Sequence, residues 1–281
     1  MVLPAEKGNQ IWRVIDILNW GEDYFKSKGF ESPKQEIEWL LCDLLNYKRI
    51  DLYVQFEQPI HRPQLKQLKE WIKRRIGREP LQYITGKTEF YGYKFIVTPD
   101  VLIPRSETER VVDVALHKIG NIKNPKVLDV GSGSGCIAIA IGSEKKDALI
   151  LSLDVSESAI RKAKKNAVLN ELSNIEFQVM DILKDIPDGP FDLLVSNPPY
   201  IPEKEMRETM PEVHQYEPKI ALTDERDGLT FYRRFAKIGK SLIKPGGSMV
   251  LEVGLGEHPA KAVDIFQSAG YTRLELIPDY N

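Results

Sequence analysis

The stretch "PKVLDVGSGSGCIAIAIG", Pro125 to Gly142, decides the fold. It opens with an apolar run, passes through glycines at 131, 133 and 135, and continues apolar to Gly142. That order predicts a buried strand, a tight turn and a helix. The alternation then continues. "ALILSLDVS" is a strand and "SESAIRKAKKNAVLN" a helix, "NIEFQVMD" and "FDLLVSN" are strands, and "GLTFYRRFAKIGKSLI" is a helix. "GSMVLEVG" is a strand, "HPAKAVDIFQSAG" a helix and "TRLELIPDY" a last strand. Apolar strands alternating with amphipathic helices imply an α/β fold: a doubly wound, mostly parallel, Rossmann-like sheet covered on both faces. This domain is expected over 105–281.

Upstream the texture is different. Residues from about 10 to about 80 are helical in pattern, with Ile11, Val14, Ile15 and Leu18 at helical spacing. "SPKQ" predicts Ser32 as N-cap, Pro33 at the first helical position and Gln35 closing a capping box. The stripe Ile37, Leu40, Leu41, Leu44 and Leu45 follows. A third helix carries Leu65, Leu68, Ile72 and Ile76 on one face and Lys66, Lys69, Lys73, Arg74, Arg75 and Arg78 on another. Such a basic face is either a solvated surface or a dock for an acidic partner or RNA. From Tyr83 to Ile103, aromatic and β-branched residues with Gly86 and Gly92 predict a hairpin. "SETE" then predicts a helix with Ser106 as N-cap and Glu109 three residues on. The expected organisation is a helical substrate-docking domain over 1–80, a β-hairpin linker over 81–104, and the sheet domain.

Composition narrows the function. The chain has 281 residues, 42% of them hydrophobic, and a formal net charge of -2, so a large core is affordable and a general pull toward nucleic acid is absent. Two cysteines, Cys42 and Cys136, cannot build a disulfide framework, which points to a reducing, cytoplasmic setting. The four histidines lack metal-ligand spacing, so no metal site is expected. "MVLPAEKGNQ" lacks the basic-then-apolar order of a secretory signal, and no apolar run approaches the roughly 18 residues that would span a membrane.

The glycine loop follows the domain's first strand, where sheets of this kind bind ligands. A dinucleotide fingerprint would need a small residue at 136, and Cys136 stands there. The alternating glycines, with Asp129 just before them, suit a ligand with an amino-acid tail and no phosphates. Asp154 ends the second strand, near the offset at which an acid accepts ribose hydroxyls, and Asp181 ends the third, where an adenine would lie. Three acids closing successive strands around one glycine loop describe a pocket for S-adenosylmethionine.

The fourth strand ends in "NPPY", Asn197 to Tyr200. A planar NH2 group is a poor nucleophile because its lone pair is delocalised. Two acceptors holding its two N–H bonds would fix and aim it: the Asn197 side-chain oxygen and the Pro198 carbonyl. Consecutive prolines stiffen this backbone and carry no N–H. Tyr200 could stack on the flat target. Positioning beside an already electrophilic methyl group is then the main task.

"NPPY", "VLDVGSGSG" and "SLDVS" resemble class I methyltransferases that modify planar amino groups. "REPLQYITGKTEFYG", "VLIPRSETE" and "EPKIAL…DGLTFYR" narrow the resemblance to the bacterial release-factor glutamine methyltransferases, the PrmC/HemK family. It runs from about Arg78 to the C-terminus. It implies that the substrate is a class 1 peptide chain release factor, methylated on the side-chain amide of the glutamine in its Gly-Gly-Gln motif. It also implies that Gly131, Ser132, Gly133, Ser134, Gly135, Asp154, Asp181, Ile182 and Asn197 line the S-adenosylmethionine site, and that Asn197, Pro198, Pro199 and Tyr200 hold the glutamine. Asn197, Pro198 and Tyr200 would be the catalytic set. Ile182 stands where the family often has an aromatic, and Ser106 where proline is common. Arg105 and Glu107 to Glu109 match and are expected near the cleft. The family's sheet ends with an antiparallel strand after a turn like "PDYN"; this chain stops at Asn281, so a truncated or replaced strand and exposed sheet edges are expected.

Two rivals share parts of this pattern. An adenine amino-group methyltransferase acting on DNA or RNA faces the same NH2 chemistry, but on DNA it needs a strongly basic groove, so no DNA partner is expected. A nicotinamide dehydrogenase is disfavoured by Cys136 and by the lack of an acid–base histidine near a strand end. A binding module without activity has no need of the Asn197–Tyr200 motif.

Overall fold

The computed structural model describes residues 11–280, so the opening segment examined for a secretory signal and Asn281 lie outside the described residues. The chain divides into two compact units, 1–86 and 87–281.

The first unit holds β1 (Trp12–Arg13), α1 (Val14–Ser27), α2 (Pro33–Leu45), α3 (Arg49–Val54), β2 (Pro59–Ile60), α4 (Arg62–Ile76) and α5 (Leu81–Thr85). Its core gathers the apolar stripes of three helices: Ile17, Phe25, Ile37, Leu40, Leu41, Leu68 and Ile72 are all buried. Gly21 lets α1 and α2 meet, because a Cβ there would lie 2.3 Å from Ile37 Cγ1. Ile11 precedes α1 and is exposed, so the first stripe begins at Val14. Ser32 and Pro33 stand at the expected N-cap and N1, but the Ser32 hydroxyl makes no capping bond. Half of the basic face of α4 is structural. Arg75 is buried, holds Glu36 through Nε at 2.7 Å and Nη2 at 2.8 Å, and lies over the Phe30 ring at 4.8 Å. Arg74 bonds Glu79 and the carbonyls of Tyr83 and Ile84. Arg78 stacks on Phe30 from 4.1 Å. These guanidinium groups are docked on their own unit, which is why the face is basic in sequence yet only partly a free surface.

The second unit opens with the hairpin β3 (Lys87–Phe90) and β4 (Tyr93–Ile96), turned at Tyr91 and Gly92, both at positive φ as a two-residue turn requires. The buried Asn166 accepts from Ile96 N–H and donates to Ile96 C=O, fastening the hairpin to α8 (Glu157–Leu169). The remaining elements are α6 (Glu107–Ile119), β5 (Lys126–Val130), α7 (Cys136–Glu144), β6 (Leu149–Asp154), β7 (Ile175–Val179), β8 (Phe191–Ser196), two short helices α9 (Pro211–Tyr216) and α10 (Lys219–Leu222), α11 (Thr230–Leu242), β9 (Ile243–Leu251) and α12 (His258–Ser268). Five strands pair in the order β7-β6-β5-β8-β9, all parallel. The order reverses between β5 and β8, and the crevice outside their carboxyl ends is where such a sheet binds ligands. α6 packs on α7 and α11 on α12. The core on the α11–α12 side includes Leu128, Leu153, Leu194, Tyr232 and Phe235. No helix of the described residues is long and apolar enough to cross a membrane.

Two local expectations give way. Ser106 is already helical in backbone, at φ -58° and ψ -35°, so its hydroxyl cannot reach the helix amides; it bonds Glu107, and Glu109 accepts from Tyr91 N–H. "TRLELIPDY" forms no strand. Its alternation resembles one, but the segment runs along α6: Arg110 donates to the Pro278 carbonyl and to the Tyr280 hydroxyl, its guanidinium lies over the Tyr280 ring, and Lys118 pairs with Glu275.

Candidate active site

The loop after β5 is set by backbone geometry. Gly131, Gly133 and Gly135 take φ of +85°, +52° and +84°, which L side chains rarely adopt. Gly131 and Ser132 both donate to the Leu153 carbonyl, which ties the loop to the end of β6. Asp154 completes the tie: Oδ2 accepts from Gly133 N–H at 2.8 Å and Oδ1 from Ser156 N–H at 2.8 Å. Burial raises the Asp154 carboxyl above its ordinary range, against these amide bonds. Below the loop, Ser152 donates to Asp129 Oδ2 and so must receive the Ser132 hydroxyl. Burial pushes Asp129 up to about 7, and its Oδ1 is a buried acceptor without a donor among the described residues.

A cavity of about 520 Å³ opens at this edge of the sheet. Gly131, Gly133, Asp154, Asp181, Ile182, Asn197, Pro198 and Pro199 all line it, so most of the residues singled out in the sequence meet there. Ser132, Ser134, Gly135 and Tyr200 are not on its wall. Ser132 and Ser134 are buried beneath the loop, and the Ser134 carbonyl accepts from Asn166. Gly135 faces α8, where a Cβ would meet Ala163 and Ile139 at 3.1 Å. Their part is to shape the loop from inside. The segments 100–102 and 218–225 supply a further large part of the wall, and neither carries a sequence signal for this purpose. They are joined by an ion pair between Arg105 and the buried Glu217, whose carboxyl is raised by burial.

The charges on the wall are unequal. Asp100, Asp154, Asp181, Asp224 and Glu225 face one lysine, Lys219. Asp181 is held below its ordinary range by the Lys184 ammonium. Such a lining suits a cationic ligand that hydrogen-bonds through hydroxyls and amines, and opposes a diphosphate. S-adenosylmethionine fits these donors and acceptors, with an orphan acceptor at Asp129 beneath the loop and Leu102, Met180, Ile182 and Phe231 as apolar parts of the wall. A second recess, of about 640 Å³, lies along α11, but its Arg233 and Arg234 are committed to Asp227 and to the carbonyls of Ile182 and Asp185.

The other side of the cavity is built from side chains distant in sequence. Ser196, the last residue of β8, accepts Glu252 N–H at the end of β9. Asn197 then points its Nδ2 at Thr108 Oγ1, 3.0 Å away, and Thr108 donates to Glu252 Oε2 at 2.7 Å. No hydrogen bond reaches the Pro198 carbonyl among the described residues. The Tyr200 ring packs over Gly254, where a Cβ would come within 3.0 Å of it, and its hydroxyl approaches Glu252. Burial and the Glu252 charge push that phenol up to about 12, so it stays a neutral donor at neutral pH. Burial likewise raises Glu252. Thr108 falls within the stretch Glu107 to Glu109 that the family resemblance places near the cleft, but its bond to Asn197 is not legible in "SETE"; Glu252, inside an apolar strand pattern, carries no such signal in the sequence, and the pairing of β8 with β9 is what joins them.

Residues 16–86 match the model of the PrmC N-terminal domain, and residues 108–215 that of the methyltransferase small domain. The chain is 40% identical over 262 residues to the release factor glutamine methyltransferase of Geobacter sulfurreducens, covering 93% of this chain and 91% of that one. It is 36% identical over 281 residues to the enzyme of the same name from Fusobacterium nucleatum, covering 99% and 79%. With that of Chlorobaculum tepidum it shares 36% over 291 residues, covering 99% and 96%. Similarity at this level across both units means that the chain belongs to the release factor glutamine methyltransferase family.

Proposed function

We propose that this protein methylates the side-chain amide nitrogen of the glutamine in the Gly-Gly-Gln motif of class 1 peptide chain release factors, using S-adenosylmethionine and releasing S-adenosylhomocysteine. The observation that carries the reading is the state of Asn197. Its N–H end is bonded to Thr108, which leaves Oδ1 as an acceptor on a residue that lines the cavity. The neighbouring Pro198 also lines it, and no hydrogen bond reaches its carbonyl among the described residues. Two acceptors side by side match the two N–H bonds of one planar amide.

The residues divide by task. Asp154 and Asp181 hold the cofactor's ribose and adenine ends, Gly131 and Gly133 let its tail approach the backbone, and Ile182 packs against the base. When bound, S-adenosylmethionine supplies a methyl group already made electrophilic by its sulfonium. Asn197 and Pro198 orient the glutamine nitrogen toward that methyl group and favour the positive charge that grows on the nitrogen. Tyr200 is fixed from behind by Gly254 and Glu252, so its exposed part forms a firm side for the substrate loop. The helical unit serves as the docking element for the release factor, and the reaction belongs in the cytoplasm.

The test uses labelled S-adenosylmethionine with purified release factor and, separately, with DNA and RNA. Label in the release factor, located on the motif glutamine by fragmentation, is expected. Label in nucleic acid alone overturns the reading in favour of an adenine amino-group methyltransferase.

A further inference from the structure

The residues behind Asn197 permit a sharper statement, which rests on the methyl-transfer reading above. An asparagine amide is nearly symmetric in shape. Rotated by half a turn, it would offer Nδ2 where Oδ1 now stands, and a donor would then face the donors of the target NH2 group. Acceptor character at this position is therefore a choice between two orientations of similar shape, and something outside the amide must decide it.

Thr108 decides it. The residue is 2% exposed, and its hydroxyl carries one proton. That proton is donated to Glu252 Oε2 at 2.7 Å. Only lone pairs remain to face Asn197, so the amide must present its N–H end, and it does so at 3.0 Å. Neither Thr108 nor Glu252 lines the cavity. The two bonds join residues 89 and 144 positions apart, bringing α6 and the end of β9 onto the end of β8. The same carboxyl is approached by the Tyr200 hydroxyl and by the side-chain amide of Asn197 itself, which can meet a carboxylate only through its N–H end.

We infer that Thr108 and Glu252 are positioning residues that order one proton so that Asn197 is held as an acceptor toward the substrate. The chemistry of a carboxylate at 252 is central. An ionised carboxylate only accepts, so Thr108 can donate in one direction. A glutamine at 252 has nearly the same shape but also carries an NH2 group. Thr108 could then accept from residue 252 and donate to Oδ1 of Asn197, and the amide would turn around.

The test compares Thr108→Val, Thr108→Ser and Glu252→Gln in the full-length enzyme, with release factor as substrate. Thr108→Val and Glu252→Gln are expected to lower kcat about 10- to 100-fold, the range typical for loss of an outer orienting partner. KM for release factor and Kd for S-adenosylhomocysteine should stay within about threefold of wild type. Thr108→Ser keeps the hydroxyl and should recover most of the kcat. A second readout is independent of the substrate. The side-chain amide protons of Asn197, assigned by their loss in Asn197→Asp, should exchange slowly in wild type and at least about tenfold faster in Thr108→Val. A kcat within about threefold of wild type in both variants overturns the inference. So does a loss of S-adenosylhomocysteine affinity that tracks the loss of kcat, because it signals a general structural role. An unchanged exchange rate in Thr108→Val overturns it as well. Failure of wild type to methylate any release factor would defeat the substrate assignment instead, and the exchange comparison would still decide the role of Thr108.

Discussion

The two halves of the sheet edge solve different problems by different means. On the β5–β6–β7 side, the cavity wall is backbone and carboxylate: glycines at positive φ, amides returned to Leu153 and Asp154, and acids closing successive strands. On the β8–β9 side, Asn197 and Pro198 line the wall, and Thr108 and Glu252 stand in order behind Asn197. On the proposed reading, the first half recognises a molecule through shape and charge, and the second controls which end of one amide faces the reacting group. Binding tolerates many small contacts, whereas aiming depends on a few bonds that must all point one way.

This contrast makes the two halves separable by mutation. The largest effect is expected at Asn197: Asn197→Ala should lower turnover by about 100- to 1,000-fold, as removal of a preorganised electrostatic group does, while S-adenosylhomocysteine affinity changes little. Equal losses in calorimetric affinity and in turnover would erase the division. Next comes the loop itself. Gly135→Val places a branched side chain at φ +84°, against Ala163 and Ile139 at 3.1 Å, and should cost about 2–3 kcal/mol of stability with a lower Tm. A melting curve matching wild type would show that the loop is not held as described. Asp154→Ala removes a cavity acid and the clamp on Gly133 together, so cofactor affinity should fall about tenfold or more with a smaller change in kcat at saturating cofactor. The reverse pattern would place Asp154 on the aiming side.

The smallest effect concerns pH. Asp129 is raised in the folded protein, from an ordinary 3.8 to about 7, because burial penalises its charge. A carboxyl raised in this way favours the folded state at low pH and loses that contribution as pH rises through about 7. Cofactor-free protein should therefore lose about 1 kcal/mol of stability through this group between roughly pH 6 and pH 8. Denaturant midpoints of wild type and Asp129→Asn measure it. The variant should show the shallower decline, and parallel curves would mean that Asp129 is already ionised in the fold.

How much of each half could be read from the sequence follows from the distance over which its bonds act. Gly131, Gly133, Asp154 and Asp181 declare themselves by position after strands, since a turn and a strand-end acid are local features. "NPPY" is local too, and its acceptors were legible from prolines that carry no N–H. The control of Asn197 was not legible, because Thr108 reaches it across 89 positions and Glu252 reaches Thr108 across 144. Only the pairing of β8 with β9 and the packing of α6 bring them together. The same limit explains smaller misreadings. Ser32 and Ser106 have the composition of capping boxes, but their hydroxyls make no capping bonds. Arg74, Arg75 and Arg78 lie on a basic stripe, and their guanidinium groups are used on Glu79, Glu36 and Phe30 within the helical unit. "TRLELIPDY" has the alternation of a strand, and Arg110 and Lys118 hold it along α6 instead.

The claim on which the rest depends is that a glutamine side chain is presented to a methyl donor between Asn197 and Pro198. Its most direct test is a structure of the enzyme with S-adenosylhomocysteine and a peptide containing Gly-Gly-Gln. The glutamine Nε2 should lie within hydrogen-bond distance of both Asn197 Oδ1 and the Pro198 carbonyl, facing the cofactor's sulfur. A glutamine bound elsewhere in the cavity, or an Asn197 that meets it through Nδ2, would contradict the account.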